Sequence, residues 1–277
     1  MRPLLVVCGL NREAALAAGP EVETLAGGGS REGLEARLAT LDPSRYAAVL
    51  SFGLVGALSP ALKVGDVVVP TRCLGESGPV AMMLPVRLGP AGSVRSPTIA
   101  SPYSEVPAES RPGSTRDGGA SFEAELCSAP QDEERGGAGP APEAPLTLVG
   151  VDAPAATRSA KATLARRHGA DLVDMESHVA GAWAARHGLP FGIVRVVSDG
   201  AERDLPPLVR VAMKADGSLD GRAMLRSLVR EPGQVPALLA TARDAAVAFR
   251  QLRRVGRALC RGRGLLRGSG GLLGLDL

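Results

Sequence analysis

The sequence predicts an α/β fold in which helices cover both faces of a largely parallel central sheet. Short apolar runs rich in β-branched residues recur along the chain, each bounded by Gly, Pro or Asp, as is typical of strands. Segments rich in Ala, Leu and Arg lie between them and have helical character. Strands that are apolar throughout, rather than alternating, indicate a sheet that is covered on both faces. A chain of 277 residues, 45% of them hydrophobic, is long enough for one sizeable domain of this kind.

The individual elements follow from these patterns. The predicted strands, in chain order, are 4–7, 47–52, 66–70, 146–150 and 191–197. Segments of helical character lie at 160–169 and 179–188. The second is predicted to be helical from about 179 to 187 and to end at Gly188, a residue type that commonly follows helices. A further short strand is expected to end near Glu176, so the segment from 173 to 200 is predicted to form a β-α-β unit.

Two regions differ in composition from the predicted domain. Residues 89–145 contain nine prolines and eight glycines without sustained periodicity, which predicts a disordered insertion. Residues 236–260 show helical spacing of apolar residues with arginines between them, and a Gly- and Arg-rich end follows. We therefore expect one domain over 1–252, interrupted by 89–145, and a basic tail over 253–277.

Composition argues against several classes of function. The formal charge is only +3, and the 3% of aromatic residues do not favour a nucleic-acid-binding surface. The cysteines have no spacing typical of a metal site, and free thiols in the cytoplasm are expected. We read the N-terminus as a first strand rather than a signal segment, and no stretch has the roughly 20 apolar residues that would span a membrane.

Two acidic residues follow predicted strands at places where a ligand site is expected. Glu176 and Asp199 lie at the carboxyl ends of strands that, if parallel, meet at one edge of the sheet, and α/β sheets bind ligands at that edge. An acid with a raised pKa can protonate the leaving base of a nucleoside. A second carboxylate can accept hydrogen bonds from both ribose hydroxyls, and a thioether such as Met175 can pack under the sugar. Taken singly, each acid is also compatible with a helix cap or a turn, and for Asp174 we expect a cap or exposure to solvent.

Three ordered motifs resemble the superfamily of purine nucleoside phosphorylases and methylthioadenosine/adenosylhomocysteine nucleosidases. "VDMES" is followed, after one helix, by "FGIVRVVSDG"; "FGLVGALSPALKVGDVVVP" and "VVCGLNREA" agree with a Gly-rich turn and with a first strand and loop of that superfamily. The motifs span most of the chain outside 89–145. The resemblance implies a three-layer α/β/α fold of the nucleoside phosphorylase type, with a mixed, mostly parallel sheet, and an enzyme that cleaves an N-glycosidic bond.

The resemblance also implies roles for particular residues. Asp199 would protonate the purine with help from Ser198, Glu176 would bind the ribose hydroxyls, and Met175 would line the sugar. Glu13 would activate water, or Arg12 would bind phosphate. The Gly pair in the turn after a strand would let backbone N–H groups approach phosphate or ribose; its members are Gly53 and Gly56. Lys161 and Arg158 are either phosphate ligands or surface residues. No cofactor and no metal is implied, and inorganic phosphate is a possible co-substrate.

The segment 205–252 resembles the bacterial hopanoid-associated nucleoside phosphorylases. This implies release of adenine from adenosylhopane, giving ribosylhopane or its phosphate, and a cytoplasmic homo-oligomer whose basic C-terminal helix contacts the inner membrane peripherally. The alternatives are a methylthioadenosine/adenosylhomocysteine nucleosidase acting on small soluble substrates, and a non-catalytic adenosine-binding protein associated with the membrane.

Overall fold

The structure is a computed structural model that describes residues 2–75, 78–80, 86–88, 145–206, 220–231, 233, 235–261 and 273–275. Its strands are β1 (Leu4–Cys8), β2 (Val22–Ala26), β3 (Ala48–Ala57), β4 (Val67–Val68), β5 (Arg72–Gly75), β6 (Gly78–Pro79), β7 (Val86–Leu88), β8 (Thr147–Gly150), β9 (Leu172–Asp174), β10 (Phe191–Asp199) and β11 (Leu273–Leu275). Its helices are α1 (Asn11–Ala17), α2 (Arg31–Ala39), α3 (Arg158–His168), α4 (Ser177–Arg186), α5 (Gly221–Arg230) and α6 (Val235–Arg261). Of the predicted insertion over 89–145, residues 89–144 lie outside the described part of the chain.

The central sheet is mixed and mostly parallel. Strands follow one another in the order β2-β1-β3-β9-β8-β5-β6, while β10 pairs with β3 and with β4. The pairs β1–β2, β1–β3, β3–β10, β5–β8 and β8–β9 are parallel. The pairs β3–β9, β4–β10 and β5–β6 are antiparallel. The predicted fold class is therefore confirmed.

Alternate side chains of the strands enter two separate cores, one on each face of the sheet. Leu5 and Val7 of β1 pack in a cluster with residues of α2 and α4, including Trp183. Leu4 and Val6 pack in a second cluster with α1 and with α6. Because successive side chains of a strand point to opposite faces, one apolar strand fills both cores. Helices on both faces make the three layers expected from the sequence.

Strand β9 departs from the predicted parallel arrangement. Gly56 and Ala57, at the end of β3, pair antiparallel with Val173 and Leu172 of β9. β3 is ten residues long and runs beyond its pairing with β1, which ends at Ser51, so its last residues reach a further strand. The carboxyl end of β9 therefore approaches the ligand edge by running back along β3. Glu176 and Asp199 still come together, but not because their strands are parallel.

The long C-terminal helix belongs to the packed domain beyond the boundary expected at residue 252. Leu252, Val255 and Ala258 of α6 are buried, and Leu252 and Val255 pack in the same cluster as α1 and β1. Gly256 lies so close to α1 that a Cβ built on it would meet the carbonyl oxygen of Leu16 at 2.2 Å. The exposed apolar residues lie instead on α5 and the first half of α6. No helix within the described residues is long and apolar enough to cross a membrane.

Candidate active site

A cavity of about 220 Å³ lies at the edge of the sheet where β1, β3, β9 and β10 meet. Its walls are mostly apolar, and they include Leu10, Leu54, Val151, Met175 and Leu205. The polar side chains in its lining are Glu13, Asp174, Glu176, Ser198 and Asp199. A concave apolar site with a few convergent polar groups is the usual form of a small-molecule site. Six of the eight predicted site residues line this cavity; they are Glu13, Gly56, Met175, Glu176, Ser198 and Asp199.

Glu13 is held by backbone N–H groups from the residues after β1 and from within β3. Its Oε2 atom accepts hydrogen bonds from the N–H groups of Gly9 and Leu10, both at 2.9 Å. Its Oε1 atom accepts one from Leu54 N–H at 2.9 Å. A carboxylate has about four acceptor positions, so one remains on Oε1. Burial raises the pKa of Glu13, while Arg195 and the three backbone N–H groups oppose that rise.

Glu176 shares a buried guanidinium with Asp174. Arg195 is fully buried, and its Nη2 atom lies 2.6 Å from Asp174 Oδ2 and 3.4 Å from Glu176 Oε2. Burial, together with the nearby charges of Asp174 and Glu13, raises the pKa of Glu176 to about 7 against the opposing effect of Arg195. Three carboxyl groups around one cation leave an excess of negative charge, so Glu176 holds a proton more readily than an exposed glutamate does.

Asp174 caps helix α4 and also supports Arg195. Its Oδ1 atom accepts the Ser177 N–H at 3.1 Å, as expected for a capping residue. The same side chain is only 2% exposed and pairs with Arg195, so the expected alternative of exposure to solvent is wrong. Ser51 and Ser177 complete the cluster, since Arg195 Nη2 lies 2.8 Å from Ser51 Oγ and 3.1 Å from Ser177 Oγ.

Asp199 is held through both of its carboxyl oxygens. Ser198 donates its hydroxyl to Oδ1 at 2.7 Å, and Lys161 donates to Oδ2 at 2.5 Å. Lys161 is buried, so it is not the surface residue that the sequence left open, and its ammonium is committed to Asp199. Arg158, the other residue left open with it, has an exposed side chain 3.6 Å from Asp204.

Two glycines let the side chains of the charged cluster lie close to the backbone. A Cβ on Gly53 would lie 2.7 Å from Arg195 Nη1 and 2.8 Å from the Glu13 carboxyl carbon, and one on Gly9 would lie 2.6 Å from Glu176 Oε1. Gly53 and Gly56 both lie inside β3, not in the turn after a strand as the sequence predicted. Gly53 supports the charged cluster from outside the cavity lining, whereas Gly56 lines the cavity.

Arg12 lies outside the cavity. Its guanidinium carbon sits 4.2 Å from the centre of the Phe249 ring on α6, and the residue is exposed. Consecutive residues of a helix point about 100° apart, so the turn of α1 that buries Glu13 turns Arg12 outward. The structure therefore does not bring Arg12 to the position of a phosphate ligand.

The sequence analysis missed Arg195, and it named Lys161 without predicting that it pairs with Asp199. Arg195 is the one charged residue within the otherwise apolar run of β10, and a buried charge needs partners. That pattern was a usable signal. Lys161 gave none, because its partner lies 38 positions away on a different element.

The assembled groups have complementary chemical abilities. Asp199 can exchange a proton with a base, Glu176 can accept hydrogen bonds from hydroxyl groups, and Glu13 has a free acceptor position for a water molecule. No group of three or more His, Cys, Asp or Glu residues that could hold a metal ion occurs within the described part of the chain.

An α/β/α fold of this kind is that of enzymes that cleave the N-glycosidic bond of nucleosides. The chain belongs to the phosphorylase superfamily, since the model of that family matches residues 36–218, well over half of the chain. The resemblance stated from the motifs is thereby confirmed at the level of the superfamily, and such enzymes act without a cofactor.

Solved structures of similar fold include nucleosidases of low sequence identity. A mutant methylthioadenosine nucleosidase of Helicobacter pylori with 5′-methylthioadenosine in its active site is 10% identical, with 92% of this chain and 97% of that chain covered and a TM-score of 0.47. The futalosine hydrolase of Helicobacter pylori is 12% identical, with 83% and 98% covered and a TM-score of 0.46. A methylthioadenosine nucleosidase of Chlamydia trachomatis is 13% identical, with 94% and 100% covered and a TM-score of 0.45. A search of curated proteins finds no match.

Proposed function

We propose that the chain hydrolyses the N-glycosidic bond of an adenine nucleoside linked to a lipid, with adenosylhopane as the substrate. The observation that carries this proposal is the convergence of Asp199, Glu176 and Glu13 on one largely apolar cavity. Each of these groups answers a separate requirement of the reaction, namely protonation of the base, binding of the sugar and activation of the nucleophile.

Asp199 protonates the purine as the bond breaks, and Ser198 orients the carboxyl group through the hydrogen bond to Oδ1. Protonation matters because the purine is a poor leaving group as an anion. Glu176 accepts hydrogen bonds from the ribose hydroxyls, and Met175 packs against the sugar. Positive charge develops on the sugar in the transition state, and the nearby carboxyl groups stabilise it.

Water is favoured over phosphate as the nucleophile by the charges at the cavity. Four carboxyl groups belong to its lining, those of Glu13, Asp174, Glu176 and Asp199. The two cations that contact them, Arg195 and Lys161, are both paired with carboxylates. Carboxylates repel a phosphate anion, whereas Glu13 can accept a proton from water at its free Oε1 position.

A lipid-linked substrate is supported by the position of α6 beside the cavity. Asp244 of α6 pairs with Arg203, two residues before Leu205 of the cavity lining. Further along α6, Phe249 contacts Arg12, the neighbour of Glu13. The resemblance of segment 205–252 to the hopanoid-associated enzymes points in the same direction.

Contact with the membrane is proposed for α5 and the first half of α6. Their exposed apolar side chains are Leu225, Val229, Val235 and Leu239. Arginines flank them on α5 at positions 222, 226 and 230, and arginines favour an anionic lipid surface. The sequence analysis assigned this contact to the basic C-terminal helix. The proposal now uses only the first half of α6, because Leu252 and Val255 of the second half are buried.

The oligomeric state and the location in the cell are also proposals. We propose a cytoplasmic homo-oligomer, built on a single domain that residues 89–145 interrupt. Light scattering at several protein concentrations measures the oligomeric state directly.

The function is tested by following adenine release from adenosylhopane in detergent, with and without inorganic phosphate, and by identifying the sugar product. We expect release that does not depend on phosphate and that gives free ribosylhopane. A phosphorylated product would overturn the choice of water. Faster turnover of methylthioadenosine than of adenosylhopane would support the nucleosidase of small substrates instead, and binding without turnover would leave a non-catalytic protein.

The variant Asp199→Asn provides the mutational test. We expect its kcat to fall about 100-fold or more, the usual contribution of a general acid. The exposed residue Glu202, three positions further along, offers a matched control, and Glu202→Gln should keep full activity. Undiminished turnover by folded Asp199→Asn would refute its role as the acid.

A further inference from the structure

Lys161 is a buried lysine whose three donor positions are all occupied. Its side chain is 2% exposed, and Nζ donates to Asp199 Oδ2 at 2.5 Å, to the Gly200 carbonyl at 2.7 Å and to the Arg203 carbonyl at 3.2 Å. An ammonium group has three N–H bonds, so none remains for a ligand. Lys161 does not line the cavity, and whatever it does for the reaction is done through Asp199.

We propose that Lys161 is a positioning residue that makes Asp199 an effective acid, an inference that rests on the proposed function. Asp199 first takes up a proton from solvent. When the glycosidic bond then breaks, this O–H bond of Asp199 breaks, an N–H bond forms on the purine ring, and negative charge returns to the carboxyl group. The ammonium beside Oδ2 stabilises that charge inside the protein, where electrostatic interactions are stronger than in water. Lys161 thus lowers the barrier to leaving-group protonation without touching the substrate.

Among the described residues near this pair, Lys161 is the cation that contacts Asp199, because the nearby arginines pair with other carboxylates. On the loop after β10 the Arg203 side chain pairs with Asp244 of α6, and Arg158 of α3 pairs with Asp204. The remaining charged groups of the cavity are the carboxyls of Glu13, Asp174 and Glu176 together with Arg195, which pairs with Asp174.

Lys161 also joins α3 to the loop after β10. The Leu205 N–H donates to the Ala156 carbonyl at 2.7 Å, and the Arg158 N–H donates to Asp204 at 2.6 Å, so the start of α3 and this loop are connected at several points. Because Leu205 lines the cavity, a variant at Lys161 can also act by loosening the wall. The test must therefore separate leaving-group chemistry from cavity shape.

A pair of substrates that differ in their leaving group makes this separation. One is an adenosine with a short alkyl group at its 5′ carbon, and the other is the 4-nitrophenyl riboside with the same alkyl group, whose phenolate leaves without protonation. We expect Lys161→Met to lower kcat for the adenine nucleoside about 100-fold and to change kcat for the nitrophenyl riboside less than about 3-fold, with both KM values kept. Lys161→Arg, which retains the cation, should recover part of the loss, and the exposed Lys63→Met is the control.

Further variants test whether Lys161 acts through Asp199. Asp199→Asn should show the same dependence on the leaving group, and adding Lys161→Met to it should cost little more, because residues that act as a unit are not additive. Lys161→Gln keeps donors for the two carbonyls without the charge, and it gives the same comparison if Lys161→Met does not fold.

Equal losses on both substrates in an active enzyme would overturn the proposal, because a purely structural role predicts them, and would leave the proposed function standing. A folded wild-type chain that cleaves neither substrate would overturn the proposed function, and the role of Lys161 with it.

Discussion

At the scale of the residue, the site is a set of carboxyl groups whose properties differ because their contacts differ. Asp199 contacts an ammonium group, and Glu13 accepts hydrogen bonds from three backbone N–H groups. Glu176 shares with Asp174 a guanidinium whose nearest nitrogen is 3.4 Å away. Glu176 has the weakest compensation, and burial raises its pKa to about 7. The same residue type therefore serves different tasks in one cavity.

The raised pKa of Glu176 makes the stability of the protein depend on pH. The pKa of Glu176 is about 7 in the folded state and near 4.5 in the unfolded state, so the folded state holds the proton more tightly. Protonated Glu176 therefore stabilises the fold below pH 4.5, and this stabilisation is lost as the pH rises through about 7. Glu176→Gln removes the titrating group. We expect the variant to be more stable than the wild type at pH 8 by about 1–3 kcal/mol, and this advantage to vanish at pH 4.5.

Urea unfolding at pH 4.5 and pH 8 measures this difference. The exposed Glu32 on α2 gives a matched control, and Glu32→Gln should change the free energy of unfolding by less than about 0.5 kcal/mol at either pH. A pH dependence in Glu176→Gln equal to that of the wild type would show that Glu176 is not the group responsible.

At the scale of the element, the site depends on how far each strand and helix extends. β3 runs past Ser51 to pair with β9, and α6 runs past Leu252 to pack on α1, the helix that holds Glu13. The β-α-β unit and the residues at its strand ends could be predicted, because apolar runs and their polar ends are local patterns. The direction of β9 could not, because strand pairing depends on contacts far apart in sequence.

The same limit applies to the side chains of the site. Asp199 and Glu176 could be placed from the motifs at strand ends, whereas the partnership of Lys161 with Asp199 required the fold. Arg12 and Glu13 are neighbours in sequence, and only the orientation of α1 decides which of them enters the cavity. Local pattern thus predicted the groups that face the ligand better than the groups that support them.

Two leucines of α6 test which half of this helix belongs to the core. Leu252 is fully buried and Leu239 is 57% exposed. We expect Leu252→Ala to lower the free energy of unfolding by about 2–5 kcal/mol and Leu239→Ala by less than about 0.5 kcal/mol, since only the first leaves a cavity. Denaturant unfolding of the two variants compares them directly, and similar losses would contradict the packing of the second half of α6 against the sheet.

At the scale of the whole molecule, one side of the chain combines exposed apolar residues with positive charge. The formal net charge is only +3, so attraction to an anionic surface has to come from a local arrangement rather than from the total. Helix α5 has arginines at positions 222, 226 and 230 beside the exposed Leu225 and Val229. Helix α6 follows it and contacts Arg12 and Arg203, which are close in sequence to the cavity residues Glu13 and Leu205. A lipid surface at this side therefore fits the proposed lipid-linked nucleoside.

Binding to lipid vesicles tests this arrangement. We expect co-sedimentation with vesicles that contain anionic phospholipid, weaker binding to neutral vesicles, and a decrease as salt is added, because surface charges are screened. The triple variant Leu225→Ser, Val229→Ser, Leu239→Ser should bind about 10-fold more weakly while it retains its stability, since all three side chains are exposed. Arg166→Gln with Arg167→Gln removes positive charge from α3, outside this side of the chain, and should leave binding unchanged. Equal weakening by both sets of substitutions would show that α5 and the first half of α6 are not a dedicated lipid-facing side.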